Sequence, residues 1–447
     1  MVVSSKLIGK RVHHPLFGEG VIEGVRWRDS FVQVRFGPRH TIWLPSEQMR
    51  LGTKKPEPPP RKIRKPTGFR LEGERIPPRR MIEAFRHGIV PHNDIERFTF
   101  GRSKELQVLE QCFGTFNERG GCPLIVEGPY GSGKTHFLDY IEALTMKRGY
   151  AVTKAALDQW EVTPTRPLRV YRELMNSFRF EGGGFQEFLT EASHLKLEPP
   201  HIFLTPALKK INQGKADSIL WQWIAGERNP RFYLNEYGSY WKLPVLLTHS
   251  TAADIYSYIL SGLGWLAKRI GLKGFVILLD EVESTFRLTH DRDKAFGLLK
   301  GLMHTALNTK ELTTKEGGKS LRLFHSRMRT TPYMYKIPSN ILLIIALTPV
   351  WSVVYRDLKE LAENRVITLS GLTSEDYCQM FERLTVLYKK AYPNMDFSWD
   401  LDHVFHVLIN RRDEGVRFFI KAAVEALDLI RHHPKKGLPS VLKYEYA

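Results

Sequence analysis

The chain has 447 residues, of which 42% are hydrophobic and 11% aromatic, and this suits two or three globular domains. Its longest apolar runs, GFVILL and ILLIIAL, are far shorter than the roughly 20 residues of a membrane-spanning helix, and the N-terminus has no secretory signal pattern. The three cysteines have neither metal-ligand nor disulfide spacing. The sequence therefore excludes an integral membrane protein and predicts a cytoplasmic one without a membrane partner.

The net charge of +18 is concentrated near the N-terminus, since residues 1–100 contain 20 Lys and Arg against 10 Asp and Glu. A basic excess of this size attracts polyanions, and nucleic acid is the commonest polyanion of a cytoplasm. Two interpretations stay open at this point. The basic surface either binds DNA or is a solvated face with no specific partner.

Residues 1–50 alternate apolar and polar side chains around turn signals at FGEG, RDS and GPRH, a pattern typical of short strands. About five strands of this kind would form a small all-β barrel. Residues 51–77 are basic and rich in proline, with too few apolar side chains to fold. This composition predicts a semi-extended linker between two domains.

Between residues 78 and 371 the pattern changes to short apolar strands that alternate with helical stretches, as in an α/β domain. The segments PLIVE, GFVILLDE and NILLIIALT are apolar at successive positions, which predicts strands buried on both faces in a central parallel sheet. From residue 372 to 447 the pattern is helical. We therefore expect an α/β core followed by a helical domain.

One stretch carries a phosphate-binding motif. GPYGSGKT, Gly128 to Thr135, matches GxxxxGK[ST] between an apolar strand and a helical stretch. Glycines let consecutive backbone N–H groups turn inward onto phosphate oxygens, and the start of the next helix adds to the attraction. Lys134 would reach the β- and γ-phosphates of ATP, and Thr135 would bind Mg²⁺. The predicted nucleotide-binding residues are Gly128, Pro129, Tyr130, Gly131, Ser132, Gly133, Lys134, Thr135 and His136.

Hydrolysis of the nucleotide needs a carboxylate for the metal and a group that activates water. FVILLDEVEST offers both, because Asp280 ends an apolar strand and can bind Mg²⁺, while Glu281 follows as the candidate base. A third apolar strand ends in Thr348. If that strand lies between the other two, the Thr348 hydroxyl would face the γ-phosphate and align the water.

The glycine loop, the LLDE strand, the polar-ended strand ALTP and the helical tail together resemble the AAA+ ATPases. The resemblance implies a P-loop NTPase core whose nucleotide lies under a helical lid, with Arg417 as the sensor arginine that reaches the γ-phosphate from the lid. It also implies a homo-oligomer in which an arginine of the neighbouring subunit completes the site. Arg356 is the first candidate for that arginine and Arg365 the second.

Across residues 80–430 the order of RRMIEAFRHGIVPHND, GPYGSGKTHFLDY, SILWQWIAGE and GFVILLDEVEST resembles the ATP-binding proteins of the BREX phage-defence systems. The resemblance implies a role in bacterial antiviral defence beside other proteins of such a system, for example a helicase. In AAA+ relatives the stretch before the first strand borders the adenine. Val90, Pro91, Gly101 and Arg102 are therefore expected near the base.

The segment GKRVHHPLFGEGVIEGV, with VQVRF after it, is similar to the Tudor-type barrel of UvrD-like helicases. Its arginines and histidines, with Trp27 and Trp43, could bind a phosphate backbone and stack on bases. The alternatives are a barrel that docks a protein and one with a purely structural role.

These features predict a Mg²⁺-dependent ATPase that binds DNA and loads or regulates a partner such as a helicase. The alternative is a non-enzymatic, ATP-dependent scaffold that recruits a helicase, a methyltransferase or RNA polymerase. A third possibility is a ring motor whose basic segment 309–338 enters a central pore, although that segment could equally be a solvated surface loop.

Overall fold

The computed structural model forms two units, residues 1–69 and 70–447, which are described separately. The described residues are 7–14, 18–26, 31–35, 41–45, 50–51, 77–228, 232–234, 240–288, 292–326, 331–350, 352–394, 401–410 and 415–433. Nearly all of the predicted linker, residues 51–77, lies outside them. No described helix is long and apolar enough to cross a membrane.

The N-terminal unit contains one antiparallel sheet of five strands in the order β4-β3-β2-β1-β5. The strands are β1 (Arg11–His14), β2 (Gly18–Arg26), β3 (Phe31–Arg35), β4 (Thr41–Pro45) and β5 (Arg50–Leu51). The small core of this sheet consists of Leu7, Val12, Ile22, Val32 and Val34. Within β3, Val32 and Val34 alternate with less buried residues, as the period of two in a strand predicts. The described part of this unit is an antiparallel sheet, and the small all-β barrel of Tudor type stays a prediction.

Among its described residues the larger unit has nine further strands, two of which form a separate hairpin. They are β6 (Gly121–Glu127), β7 (Ala151–Ala156), β8 (Arg179–Phe180), β9 (Gly183–Gly184), β10 (Phe232–Leu234), β11 (Tyr240–Lys242), β12 (Phe275–Asp280), β13 (Ile341–Leu347) and β14 (Val366–Thr368).

The α-helices of this unit precede, separate and follow its strands. They are α1 (Pro78–Arg86), α2 (Ser103–Arg119), α3 (Lys134–Lys147), α4 (Pro167–Asn176), α5 (Phe185–Ala192), α6 (Leu204–Asn212), α7 (Ser218–Ile224), α8 (Ala253–Arg269), α9 (Arg292–Ala306), α10 (Gly317–Ser320), α11 (Val353–Leu361), α12 (Ser374–Ala391), α13 (Leu401–Ile409) and α14 (Val416–His432).

The main sheet has seven strands in the order β14-β6-β13-β12-β7-β8-β9. Its first five strands are parallel, and β13 lies between β6 and β12. Every residue of β6, β12 and β13 is buried. This confirms the predicted α/β core, because only a sheet covered on both faces needs apolar side chains at successive positions.

Helices cover both faces of the sheet. In β13, Leu343 and Ile345 face the larger cluster, which includes side chains of α4 to α9, whereas Leu342 and Ile344 face a smaller cluster with α2 and α3. The alternation follows from the period of two in a strand. Parallel strands of this kind present their carboxyl ends at one edge of the sheet, where loops can form a site.

A third cluster joins the C-terminal helices to the start of the unit. Met81, Ile82 and Phe85 of α1 are buried against side chains of α12, α13 and α14. Thr373 caps α12, with its hydroxyl accepting from the backbone N–H of Asp376 in a capping box. The helical part therefore includes α1, although α1 precedes the sheet in sequence.

The basic segment 309–338 is fastened to the core. Asp254, which is fully buried on α8, accepts hydrogen bonds from the backbone and hydroxyl groups of Ser326 and Thr331. Tyr333 is also buried. Lys310, Lys315 and Lys319 are exposed, whereas Lys336 is half-buried with its ammonium group over the ring of Trp265. The described part of the segment thus combines a basic surface with a backbone that is held in place.

His201 fastens α6 to α8 in the interior. Its Nδ1 accepts from the backbone N–H groups of Phe203 and Leu204 at 3.2 and 3.0 Å, and its Nε2 lies 3.2 Å from the carbonyl oxygen of Tyr258. Because Nδ1 accepts, the proton lies on Nε2 and is donated to Tyr258. Burial lowers the pKa of His201 to about 3, from an ordinary 6.5.

We expect His201→Ala to lower the free energy of unfolding by about 3 kcal/mol at pH 7.5, because the cavity and the unpaired N–H groups both destabilise the fold. The depressed pKa means that only the unfolded chain binds a proton on His201 as the pH falls below 6.5. The stabilisation that His201 gives the wild-type protein is therefore lost as the pH falls. At pH 5 the difference in the free energy of unfolding between wild type and variant should be smaller by about 2 kcal/mol.

Urea denaturation of both proteins at the two pH values measures this difference. His194→Ala, at an exposed histidine, is the matched control. A wild-type-to-variant difference that is the same at both pH values would contradict the account of His201.

Candidate active site

The loop between β6 and α3 has a backbone that only glycine permits at key positions. Gly133, immediately before α3, has a φ of 89°, in the left-handed region. A Cβ on Gly128 would lie 2.5 Å from the hydroxyl of Ser132. These constraints explain the glycines of the motif and give the loop the curvature that turns backbone N–H groups inward.

Lys134 is held against this loop by three hydrogen bonds. Its Nζ donates to the carbonyl oxygens of Gly128 and Pro129 at 2.9 and 3.1 Å, and to the hydroxyl of Thr348 at 3.0 Å. An ammonium group has three protons, and each of them meets an oxygen here. A phosphate that binds in the loop competes with these oxygens for the same protons.

The predicted metal ligands also lie together. The Thr135 hydroxyl donates to Asp280 Oδ2 at 2.7 Å, and Asp280 Oδ1 accepts from the backbone N–H of Glu281 at 2.9 Å. Asp280 is only 2% exposed. A hydroxyl and a carboxylate are hard oxygen donors that suit Mg²⁺, so the residues present fit the ion that the motif implies.

Glu281 follows β12 in a conformation that is rare for a residue with a side chain, with a φ of 54°. Its pKa is raised, first by burial and then by the neighbouring carboxylates of Asp280 and Glu283, while Lys134 opposes the rise. A carboxylate with a raised pKa is a better proton acceptor. Both features are typical of residues that take part in a reaction.

Thr348 follows β13, and the position of that strand between β6 and β12 meets the condition set by the sequence. Its hydroxyl accepts from Lys134 and donates to Glu283 Oε1 at 2.6 Å. Glu283 is not among the residues predicted from the sequence. Its presence as a second glutamate in DEVES was the only hint of a role. In the structure, the 3₁₀ turn Val282–Arg287 directs this side chain back toward the strand ends.

Arg102 was expected beside the base, and the structure places its guanidinium on the phosphate loop. The side chain is 8% exposed and donates to the carbonyl oxygens of Ser132 and Ser370, each at 2.8 Å. Its charge is balanced by Glu105 at 3.1 Å. Arg102 thus joins the phosphate loop to the chain that follows β14.

Several predicted nucleotide contacts lie around this loop. The side chain of Tyr130 is 97% exposed, so the loop offers its backbone rather than this ring. His136 Nε2 lies 2.9 Å from the Thr99 hydroxyl, which donates to a backbone carbonyl and therefore accepts from the imidazole. Burial lowers the pKa of His136 to about 4 and keeps the ring neutral.

The remaining predicted residues lie on the helical side. Val90 packs against the cluster of α1 and the C-terminal helices, and Pro91 directly precedes the 3₁₀ turn His92–Phe98. The aliphatic part of Arg417 covers Gly88, where a Cβ would lie 2.4 Å from Arg417 Cγ. Val90 and Arg417 therefore share one neighbourhood.

The two candidate trans-acting arginines differ in their surroundings. The side chain of Arg356, on α11, is 70% exposed, and its nearest acid is Glu360 at 3.9 Å. Arg365 is 17% exposed, forms an ion pair with Glu363 and donates to the carbonyl oxygen of Pro123. Of the two, Arg356 is the one whose side chain is largely exposed to solvent.

Helix α11 is anchored at the end of β6. Glu127, which precedes the phosphate loop and is 8% exposed, receives the hydroxyl of Tyr355 and lies 3.4 Å from the ammonium group of Lys359. The hydroxyl of Thr368 in β14 donates to its other oxygen at 3.0 Å. The position of Arg356 is thereby coupled to the strand that carries the loop.

Residues 76–189 match the family model described as BREX system ATP-binding protein BrxC/D. The matched segment includes the phosphate loop and α3 and ends before Asp280, so the match and the strand-end acids are independent observations. It identifies a BrxC/D-like, ATP-binding region and indicates an ATP-binding component of a BREX phage-defence system. The curated proteins contain no significant match to the chain.

Proposed function

We propose that this protein is an AAA+-class ATPase that binds Mg·ATP between the α/β core and the helical lid and hydrolyses it. One observation carries the proposal. Side chains from three separate strand ends converge, since Lys134 reaches Thr348 and Thr135 reaches Asp280. A glycine-rich phosphate loop, a metal-binding pair and a strand-end glutamate at one edge of a parallel sheet are the parts that phosphoryl transfer to water requires.

Each residue has a separate role in the proposed reaction. The loop amides and Lys134 neutralise the phosphate charge, which otherwise repels an attacking oxygen. Thr135 and Asp280 hold Mg²⁺, which supplies charge neutralisation at the β- and γ-phosphates when bound. Glu281 takes the proton of the attacking water, and Thr348 orients that water.

The roles of the residues in the helical lid are assigned from the resemblance to AAA+ ATPases and from the positions of these residues. Arg417 would sense the γ-phosphate from α14, and Val90 and Pro91 would border the adenine. The structure supports this proposal by bringing Arg417 next to the segment that contains Val90. ATP then contacts both the sheet edge and the helical cluster, so its binding and loss change how the two are joined.

A homo-oligomer is proposed for the active form, with Arg356 acting on the site of the neighbouring subunit. Its exposure and its position on a helix fastened to β6 support this role. An arginine supplied in trans stabilises charge that develops on the transferred phosphoryl group.

In a BREX system such an ATPase would act on a partner, and we propose that it loads or regulates one, such as a helicase, on DNA. The basic N-terminal region and its sheet are the proposed DNA-binding part. Trp43 in β4 is 40% exposed, as a stacking residue must be. The side chains of Trp27, Arg28 and Arg39 lie outside the described residues.

The alternative function is an ATP-dependent scaffold that recruits protein partners without turnover. The raised pKa of Glu281 beside the metal-binding pair favours hydrolysis over static binding, because a scaffold needs no proton acceptor there. Phosphate release measured with and without DNA separates the two functions.

We expect Lys134→Ala to weaken ATP binding at least about 100-fold, because the loop loses the ammonium group that would neutralise the β- and γ-phosphates. Glu281→Gln should keep ATP affinity within about threefold and lower single-turnover hydrolysis at least about 100-fold, since the amide cannot accept the proton of water. Fluorescent-ATP titration and quenched-flow phosphate release measure the two effects. Lys104→Ala and Glu118→Gln, both at exposed positions, are the controls. Normal hydrolysis by Glu281→Gln would remove this residue from the mechanism.

The trans role of Arg356 is testable by subunit mixing. Arg356→Ala and Glu281→Gln should each be nearly inactive, and a 1:1 mixture should recover about a quarter of the wild-type rate, because each mixed interface can pair an intact arginine with an intact glutamate. Mass photometry with ATP establishes whether mixed oligomers form. Mixed oligomers without recovered activity would overturn the role of Arg356, and monomers under all conditions would overturn the oligomer.

DNA binding is expected to depend on the N-terminal region and on salt. A protein that lacks residues 1–77 should shift DNA at least about tenfold more weakly at 50 mM salt, and the full chain should lose affinity steeply between 50 and 200 mM, because its cations release counterions from the phosphates. Electrophoretic shifts across salt concentrations provide the measurement, and ATP turnover by the truncated protein checks its folding. Binding that ignores salt, or that survives the truncation, would refute this assignment.

A further inference from the structure

The hydroxyl of Thr348 stands between a donor and an acceptor. Lys134 Nζ lies 3.0 Å from Thr348 Oγ1, which lies 2.6 Å from Glu283 Oε1. A lysine ammonium group can only donate, so Thr348 must accept from Lys134. Its single proton therefore points to Glu283. The carboxylate thus determines the direction of the Thr348 O–H bond.

This direction has a chemical consequence for water. A hydroxyl whose proton is committed to a carboxylate cannot donate to a phosphate oxygen at the same time. It still has a lone pair with which to accept a proton from water. Thr348 would then hold an attacking water as an acceptor, which specifies how the hydroxyl aligns the water that the sequence assigns to it.

The second oxygen of Glu283 provides an independent observation. Glu283 Oε2 is shielded from solvent, and no group among the described residues donates to it. A buried carboxylate oxygen without a donor is costly, and functional sites are where such atoms persist. The oxygen lies on the side chain that already holds Thr348, so one proton of a water in the pocket can be shared between Glu283 Oε2 and Thr348 Oγ1 in a three-centre hydrogen bond, which leaves the other proton for Glu281. Glu283 also acts on Glu281, whose pKa it helps to raise.

We propose that Glu283 is a positioning residue of the ATPase: it fixes the Thr348 hydroxyl as an acceptor and, through Oε2, orients the attacking water toward Glu281. This inference rests on the proposed function. In the reaction, water forms the new bond to the γ-phosphorus, the bond from that phosphorus to the ADP oxygen breaks, and the proton of water passes to Glu281. Glu283 gains and loses no proton.

The decisive variant is Glu283→Gln. The amide oxygen still accepts from Thr348, whereas the second atom changes from an acceptor to an N–H donor, so the water loses its partner while the size of the side chain is kept. We expect kcat to fall about 10- to 100-fold and the equilibrium affinity for fluorescent ATP to stay within about threefold. Thr348→Val, which removes the hydroxyl, should lower kcat by a similar factor, and Thr348→Ser should restore most of it.

A double-mutant cycle distinguishes positioning from a merely structural contact. Because both residues orient one water, Glu283→Gln combined with Thr348→Val should be no more than about threefold slower than the slower single variant. Glu118→Gln is the exposed control, and thermal melting of each variant checks folding. If Glu283→Gln fails to fold, Glu283→Asp, which is too short to keep the contact with Thr348, replaces it in the cycle.

A kcat of Glu283→Gln within twofold of wild type, or factors that multiply in the double variant, would overturn the proposal. Failure here is separable from failure of the ATPase itself. If Lys134→Ala and Glu281→Gln abolish turnover while Glu283→Gln is normal, only the role of Glu283 is lost. If Glu281→Gln is fully active, the proposed function fails first.

Discussion

The position of one ammonium group organises the candidate site. Lys134 begins α3 and is enclosed by oxygen atoms from the end of β6 and from Thr348 after β13. Such a cation is stable in a nearly closed environment only because each of its protons has an acceptor. The enclosure requires neighbouring strands that end at the same level, and the register of the parallel sheet provides this alignment. Asp280 and the carboxylates of Glu281 and Glu283 then follow from β12, on the other side of β13.

The parts of the structure that were predictable are those whose signals are local. The phosphate loop depends on glycines within a few residues of each other, and the buried strands depend on runs of apolar side chains. Asp280 and Glu281 were predictable because they end such a run. Glu283 was not, because its direction depends on the left-handed backbone of Glu281 and the short turn after it. The contacts of Arg102 with the loop were not predictable, because its acceptors, Ser132 and Ser370, are distant in sequence.

Contacts between the site and its surroundings use few but buried polar groups. Arg102 joins the phosphate loop to the chain after β14, while Glu127 joins the same region to α11 through Tyr355 and Lys359. Both are charges in nearly closed environments, where removing one partner is far more costly than at a surface. A movement of the loop would therefore be transmitted to two places, the chain that follows β14 and the helix that carries Arg356.

Helix α1 has a consequence for how the larger unit is held together. By its packing it belongs to the cluster of C-terminal helices, although it precedes the main sheet in sequence. The first and last helices described in this unit therefore share one hydrophobic core. Loss of α14 would uncover Met81, Ile82 and Phe85 at the opposite end of the unit's sequence, so the stability of its two ends is coupled.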